Sequence, residues 1–264
     1  TKTKNTMKKL VCTVLLALPT FLFGQTISQN YMKSTTYQTP VQDGAQNTVG
    51  NDDKIEGVSY YDGLGRPTQS VAQRAGGNGQ DIISIQTYDG LGRSPKQYLA
   101  VPLSPNGGNY RTGNVISSIN NYYSGRYLDD AISSGNINAY SETRYENSWS
   151  SRPLEQAAPG ASWILDPNSD TDHTIKMEYG SNTRTYITDT EVHQGDDVVR
   201  FSVDFINNDT NTPSLQYDGF YQENSLTKSI VKDENWKVTD QKDHTTESYT
   251  NGRGLVVLKR TFDK

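Results

Sequence analysis

Tyr61-Asp62-Gly63-Leu64-Gly65-Arg66 recurs, residue for residue, as Tyr88-Asp89-Gly90-Leu91-Gly92-Arg93, 27 positions further on. Each copy follows an alternating run, Ile55-Glu56-Gly57-Val58-Ser59-Tyr60 in the first and Ile83-Ser84-Ile85-Gln86-Thr87 in the second. Each is followed by another, Pro67-Thr68-Gln69-Ser70-Val71-Ala72 and Pro95-Lys96-Gln97-Tyr98-Leu99. Strict alternation is the period of a strand, and strand, glycine turn, strand is a β-hairpin. Asp-Gly is expected to supply a side-chain-capped bend with positive φ, and the second glycine a further left-handed or bulged residue. Leu64 and Leu91 are expected to tuck back against the sheet, with Tyr and Arg placed for cross-strand contact or stacking. Arg66 and Arg93 are read as structural, because a residue that repeats with its turn serves the repeat.

Moving outward, a diverged copy keeps the order Tyr, acid, turn, Arg, strand: Tyr145-Glu146-Asn147-Ser148, then Arg152-Pro153-Leu154-Glu155-Gln156. A fourth unit reads Tyr249-Thr250-Asn251-Gly252-Arg253-Gly254, then Leu255-Val256-Val257-Leu258. Its order Gly, Arg, Gly departs from the first two copies and leaves its turn geometry open. Further strands are expected over 175–179, 184–188, 198–205, 215–220 and 226–232. Residues 114–137 form the best helical candidate, weakened by Gly125 and several asparagines. The fold class is therefore all-β, with Tyr-Asp hairpin repeats forming antiparallel sheets and at most one short helix. Residues 25–53 read as an extended leading segment with one edge strand, 54–160 as the repeat region, and 161–264 as a second β region ending in an incomplete repeat. Thr261-Phe262-Asp263-Lys264 are taken to begin a further strand and turn.

The amino-terminal segment has a separate character. Met7-Lys8-Lys9 gives a positive start, residues 10–23 are apolar with Pro19, and Gly24-Gln25 opens polar sequence. This is the pattern of a secretory signal peptide over 1–24, with Met7 as the expected start and cleavage between Gly24 and Gln25. The apolar run is shorter than the ~20 residues of a spanning helix. Cys12, the chain's single cysteine, lies at the start of that run and is wrongly placed for lipid attachment. Export to the cell surface or the medium follows as an expectation, and the exported chain would hold no disulfide.

Composition narrows the classes further. Hydrophobic residues make up 33% while tyrosine occurs 17 times, a profile of turn-rich β structure with aromatic cores. The 25 basic and 30 acidic residues are dispersed, for a net charge of −5, so no clustered basic surface suggests a nucleic-acid partner.

Candidate chemistry is sparse. Asp166, Asn168, Asp170 and Asp172 alternate as calcium-loop ligands do, but the central glycine is missing and Met177 stands where a bidentate glutamate belongs. His173, His193 and His244 are widely separated, unlike a zinc set. No Gly-x-Ser-x-Gly nucleophile elbow occurs, and the glycines of 74–81 lack the Gly-Lys-Ser/Thr ending of a phosphate loop. The reading is non-catalytic, without a cofactor beyond the weak calcium loop. Trp149, Trp163 and Trp236 keep a glycan-binding surface open as the alternative.

With the paired YDGLGR copies as its specific part, the chain resembles the amino-terminal region of RHS/YD-repeat proteins of Bacteroidota. The likeness extends over 53–99, 145–160 and 173–179, and over 232–236 leading into 255–260. It implies a larger parent whose many hairpins wind into a β shell, commonly around a carboxy-terminal toxin or effector. The partners it implies are further repeats of that parent and the enclosed effector. No activity is carried over.

Overall fold

A computed structural model of the chain describes residues 28–130, 137–183 and 197–263. The expected signal peptide with Cys12, its expected cleavage between Gly24 and Gln25, the expected strand over 184–188 and His193 lie outside the described residues. The described chain is all-β with one α-helix, as its alternation and turn residues require. It divides into two units, residues up to 85 with 100–115, and residues 86–99 with 116–264. The division falls inside the repeat region, because β4 (Asp81–Ile85), before the second turn, belongs to the first unit and β5 (Lys96–Tyr98), after it, to the second.

The first unit is an antiparallel sheet of β1 (Asn30–Tyr37), β2 (Lys54–Tyr61), β3 (Pro67–Ala72), β4 (Asp81–Ile85) and β6 (Val101–Leu103), in that order. β1, from the extended leading segment, occupies an edge. Alternation sets the core: Val58 pairs with Val71, Val71 with Ile83, and Ile83 with Val101. The four form one row across four strands, and none is more than 1% exposed. Burying each contributes roughly 1.5–3 kcal/mol. The loop of 104–114 closes over this row. Tyr60 donates its hydroxyl to the carbonyl of Gly108 at 2.6 Å. Gly108 has φ +77, and a Cβ there would lie 3.0 Å from Val58 and closer still to Gln73. Only glycine permits that approach.

The second unit holds a seven-stranded antiparallel sheet. Its order is β14 (Val256–Phe262), β13 (Thr245–Thr250), β12 (Thr227–Lys232), β9 (Ile175–Ser181), β8 (Pro153–Ala157), β7 (Tyr140–Tyr145) and β5 (Lys96–Tyr98). Tyr249, Leu226 and Val198 form its buried cluster, with Tyr221, Val257 and Leu258 packed around them. A separate two-stranded hairpin, β10 (Val199–Phe205) with β11 (Pro213–Phe220), completes the strands. Helix α1 (Val115–Arg126) is shorter than the expected 114–137 and buries Val115 and Ile119. It ends at Arg126, after Gly125, the weak point in its sequence. Thr261 and Phe262 close β14 and do not start a new strand.

The second hairpin differs from the first. Gln86 and Gln97 bridge in the offset that Ser59 and Ser70 keep in the first hairpin. Beyond that bridge, β4 pairs with β6, while β5 turns its other edge to β7. One YDGLGR closes a compact hairpin; the other sits where the chain passes from the first sheet to the second.

Candidate functional site

The repeated turns are polar constellations that recur along the described residues. In the first, Gly65 N–H donates to the Asp62 carbonyl at 3.1 Å, and Asp62 N–H to the Arg66 carbonyl at 2.9 Å. That is a three-residue hairpin loop, a tight turn closed by a left-handed residue that forms a bulge. The left-handed residue is Gly65 at φ +77, matched by Gly92 at +78 and Gly254 at +78. Gly63 and Gly90 keep ordinary backbone angles, so the positive φ belongs to the second glycine alone. Leu64 and Leu91 do not tuck back: they are 79% and 49% exposed, because the middle of such a loop points outward.

Asp62 clasps the loop. Its Oδ1 accepts from the N–H groups of Leu64 and Arg66, each at 2.9 Å, and its Oδ2 accepts from Arg66 Nε at 2.8 Å. Asp89 repeats this with Leu91 and Arg93 at 2.9, 2.9 and 2.7 Å. The backbone N–H of Arg66, then its guanidinium, holds the Asp62 carboxyl below its ordinary range. At Asp89 burial pushes the other way and is outweighed by Arg93. In the diverged copy Glu146 takes the part of the aspartate. Its Oε2 accepts from Arg152 at 3.0 and 2.8 Å, and that pairing lowers its pKa to about 2.

The fourth turn resolves its own ambiguity. Asn251 Oδ1 accepts from Arg253 and Leu255 N–H at 3.0 and 3.1 Å, and Gly254 N–H donates to the Asn251 carbonyl at 2.9 Å. The geometry of the other turns is kept with an amide in place of the carboxylate, and the ion pair is absent because Leu255 stands at the arginine position.

Tyr and Arg connect neighbouring repeats. The Arg93 guanidinium lies 5.0 Å from the ring centre of Tyr145 and donates to the Glu146 carbonyl at 3.0 Å. Arg152 lies 4.5 Å over Tyr179, whose hydroxyl donates to the Pro153 carbonyl at 2.8 Å. In the large sheet, the arginine that closes one turn therefore caps the tyrosine of the next strand along.

Inward positions also carry buried carboxylates that the alternation alone did not reveal. Glu155 is 0% exposed and pairs with Arg144 at 3.0 Å and Lys176 at 2.7 Å, its cross-strand neighbours on β7 and β9. Glu247 on β13 pairs with Lys228 and Lys242, each at 3.3 Å, and Glu56 on β2 with Lys33, Arg74 and Lys54. Asp81 receives Arg111 and the N–H groups of Arg74 and Asn106. The available signal was a glutamate at an inward position of the runs at Glu56, Glu155 and Glu247, with lysines and arginines on the same and adjoining strands and in nearby loops. Buried charge of this kind is held only when matched, and it fixes the order of the strands that supply the partners.

The remaining candidates separate. Asp172 is engaged by Lys176 at 2.8 Å and by the Asp166 N–H at 3.0 Å, while Asp170 accepts from Val238 N–H at 2.9 Å. Among the described residues no three His, Cys, Asp or Glu side chains stand where they could share a metal ion. His173 lies against Trp163, and His244 Nδ1 meets Asp233 at 3.1 Å beside a shallow cleft of about 450 Å³ in the loop of 239–244. A smaller cleft of about 200 Å³ is walled by Tyr123, Tyr127, Leu99 and Pro159. The tryptophans occupy three separate loops: Trp149 is 95% exposed, whereas Trp163 and Trp236 are half-buried. No helix among the described residues is long and apolar enough to cross a membrane.

These features define an all-β protein assembled from clasped hairpin turns. A family model described as a domain of unknown function, DUF6443, matches residues 33–177, more than half of the chain, and the chain belongs to that family. No curated protein matches the chain.

Proposed function

We propose that the chain is a non-catalytic structural module of an exported RHS/YD-repeat protein, whose parent encloses or presents a carboxy-terminal effector. The observation that carries this reading is the reuse of one turn geometry at Asp62, Asp89 and Asn251, with Glu146 and Arg152 as a longer variant. A device reused along a chain, with arginines reaching from one turn to the next strand, is what lengthens a sheet hairpin by hairpin. The polar atoms of the clasps are spent on the turns themselves, which suits a scaffold.

The reading frame and the cell test it together. Continuation of the coding sequence past Lys264 into further YDGLGR-like turns is expected, with an exported product whose first residue is Gln25 on mass spectrometry. A stop codon directly after Lys264, or a product retaining its first 24 residues in the cytoplasm, overturns the proposal.

A second reading, a secreted glycan-binding module, draws on the 95% exposure of Trp149 at the tip between β7 and β8. Retention of the chain on a glycan array, lost in Trp149→Ala, favours it over the scaffold.

A further inference from the structure

The β10–β11 hairpin has a chemistry unlike the rest of the chain. β10 alternates Val199, Phe201, Val203 and Phe205 with Arg200, Ser202 and Asp204. Its register sets Phe201 against Tyr217, Val203 against Leu215, and Phe205 against Pro213, so these side chains share one face. In a sheet with a covered side this face would be core. Here Phe201 is 53% exposed, Val203 56%, Leu215 67% and Tyr217 62%.

The arm is held firmly at its base. Val198 is buried against Leu226 and Tyr249, the Tyr221 N–H donates to its carbonyl at 2.9 Å, and Arg260 donates to the Asp197 carbonyl at 3.0 Å. Among the described residues no further strand joins β10 or β11. A two-stranded hairpin is marginal by itself in water, so a bare apolar face on one implies a cover.

We propose that this face is where a second copy of the chain docks, the two hairpins packing face to face about a two-fold axis. The inference is independent of the scaffold reading. The area fits: Val199, Phe201, Val203, Phe205, Leu215 and Tyr217 present roughly 600 Å² of surface, at the top of the ~300–600 Å² of a monomer's largest apolar patch. Covered on both copies it makes roughly 1,200 Å², at the lower edge of a standard specific interface. The face bears no charge, so two copies meet without like-charge repulsion, as an isologous contact requires. A lipid surface fits less well. The opposite face carries Arg200 against Asp204 and Asp218, and the chain has a net charge of −5, whereas interfacial segments are rich in Lys and Arg.

Sedimentation equilibrium of the full chain tests this. The mass is expected to approach twice that of one chain by about 100 µM, and Phe201→Ser with Leu215→Ser to raise the dissociation constant at least about tenfold. Ser202→Ala with Gln216→Ala, on the other face, should leave it unchanged. In a Cys12→Ser background, Val203→Cys should oxidise to a covalent dimer and Ser202→Cys should not, which decides the matter should the double serine variant unfold. A monomer throughout the range overturns the proposal, as does a dimer equally strong in a folded double serine variant. Binding of monomeric protein to phosphatidylcholine–phosphatidylserine vesicles, lost in Phe201→Ser, overturns it in favour of a membrane.

Discussion

Asp62 and Asn251 hold the same place in two turns: the Oδ1 of each accepts the N–H two residues on and the N–H four residues on, at 2.9 and 2.9 Å in one and at 3.0 and 3.1 Å in the other. The loop therefore depends on a side-chain oxygen at this position and not on its charge. What the carboxylate adds is the hold on Arg66. Installing Asn251→Asp together with Leu255→Arg should transplant that hold. In a double-mutant cycle the two substitutions should couple favourably, and the coupling should shrink in about 1 M salt, as expected of an exposed ion pair. Zero coupling at low salt would show that the clasp cannot be moved between turns.

The two glycines of each turn should behave differently on substitution. Gly65 has φ +77 with nothing within 4 Å of a Cβ, so Gly65→Ala meets strain without a clash and should cost about 1 kcal/mol. Gly63 also has open space and an ordinary φ, so Gly63→Ala should stay within about 0.5 kcal/mol of the parent. Urea unfolding of both variants checks this, and equal losses would contradict the assignment of the left-handed position.

Ile55 and Ile83 lie in arms of the two YDGLGR hairpins but face opposite ways: Ile83 is 0% exposed in the row Val58, Val71, Ile83, Val101, and Ile55 is 57% exposed. Ile83→Ala should lose about 2–5 kcal/mol through lost burial and a residual cavity. Ile55→Ala should lose less than about 1 kcal/mol. Denaturant midpoints at constant m-value would separate them, and comparable losses would mean that the row is not the core of the first unit.

Much of this architecture was legible because the controlling interactions are local. The strands flanking Tyr61 and Tyr249, the bulged turns and the all-β class follow from alternation, glycine and a short acceptor side chain. The parting of the two arms of the second hairpin was not legible, since Gln97 keeps the offset of Ser70 and the difference lies with distant partners: β4 takes β6, and β5 takes β7. The outward pointing of Leu64 was missed because positive φ was expected at both glycines, whereas Gly65 alone adopts it. The buried carboxylates were missed for a third reason. Glu155 is tolerated at an inward position because Arg144 and Lys176 face it from β7 and β9, and the alternation of β8 by itself does not name those partners.

Those carboxylates set the response to acid. Burial of Glu56 acts to raise its pKa, but hydrogen bonds from Arg74 and Lys33 and the charges of Lys33 and Lys54 outweigh it and bring it from an ordinary 4.5 down to about 2. Glu146 is lowered to about 2 by Arg152, and Asp62 and Asp89 shift the same way. A carboxyl that binds its proton less tightly when folded favours the folded state while it is ionised. Its contribution is complete above the unfolded value near 4.5 and is lost as the pH falls towards the folded value near 2. The urea midpoint should accordingly hold steady from pH 7 to about 5 and fall steeply between about 4.5 and 2. Glu56→Gln should flatten part of that fall, having surrendered its share already at neutral pH. A midpoint that stays level or rises through that window would mean that Lys33, Lys54 and Arg74 do not hold Glu56 ionised in the folded chain.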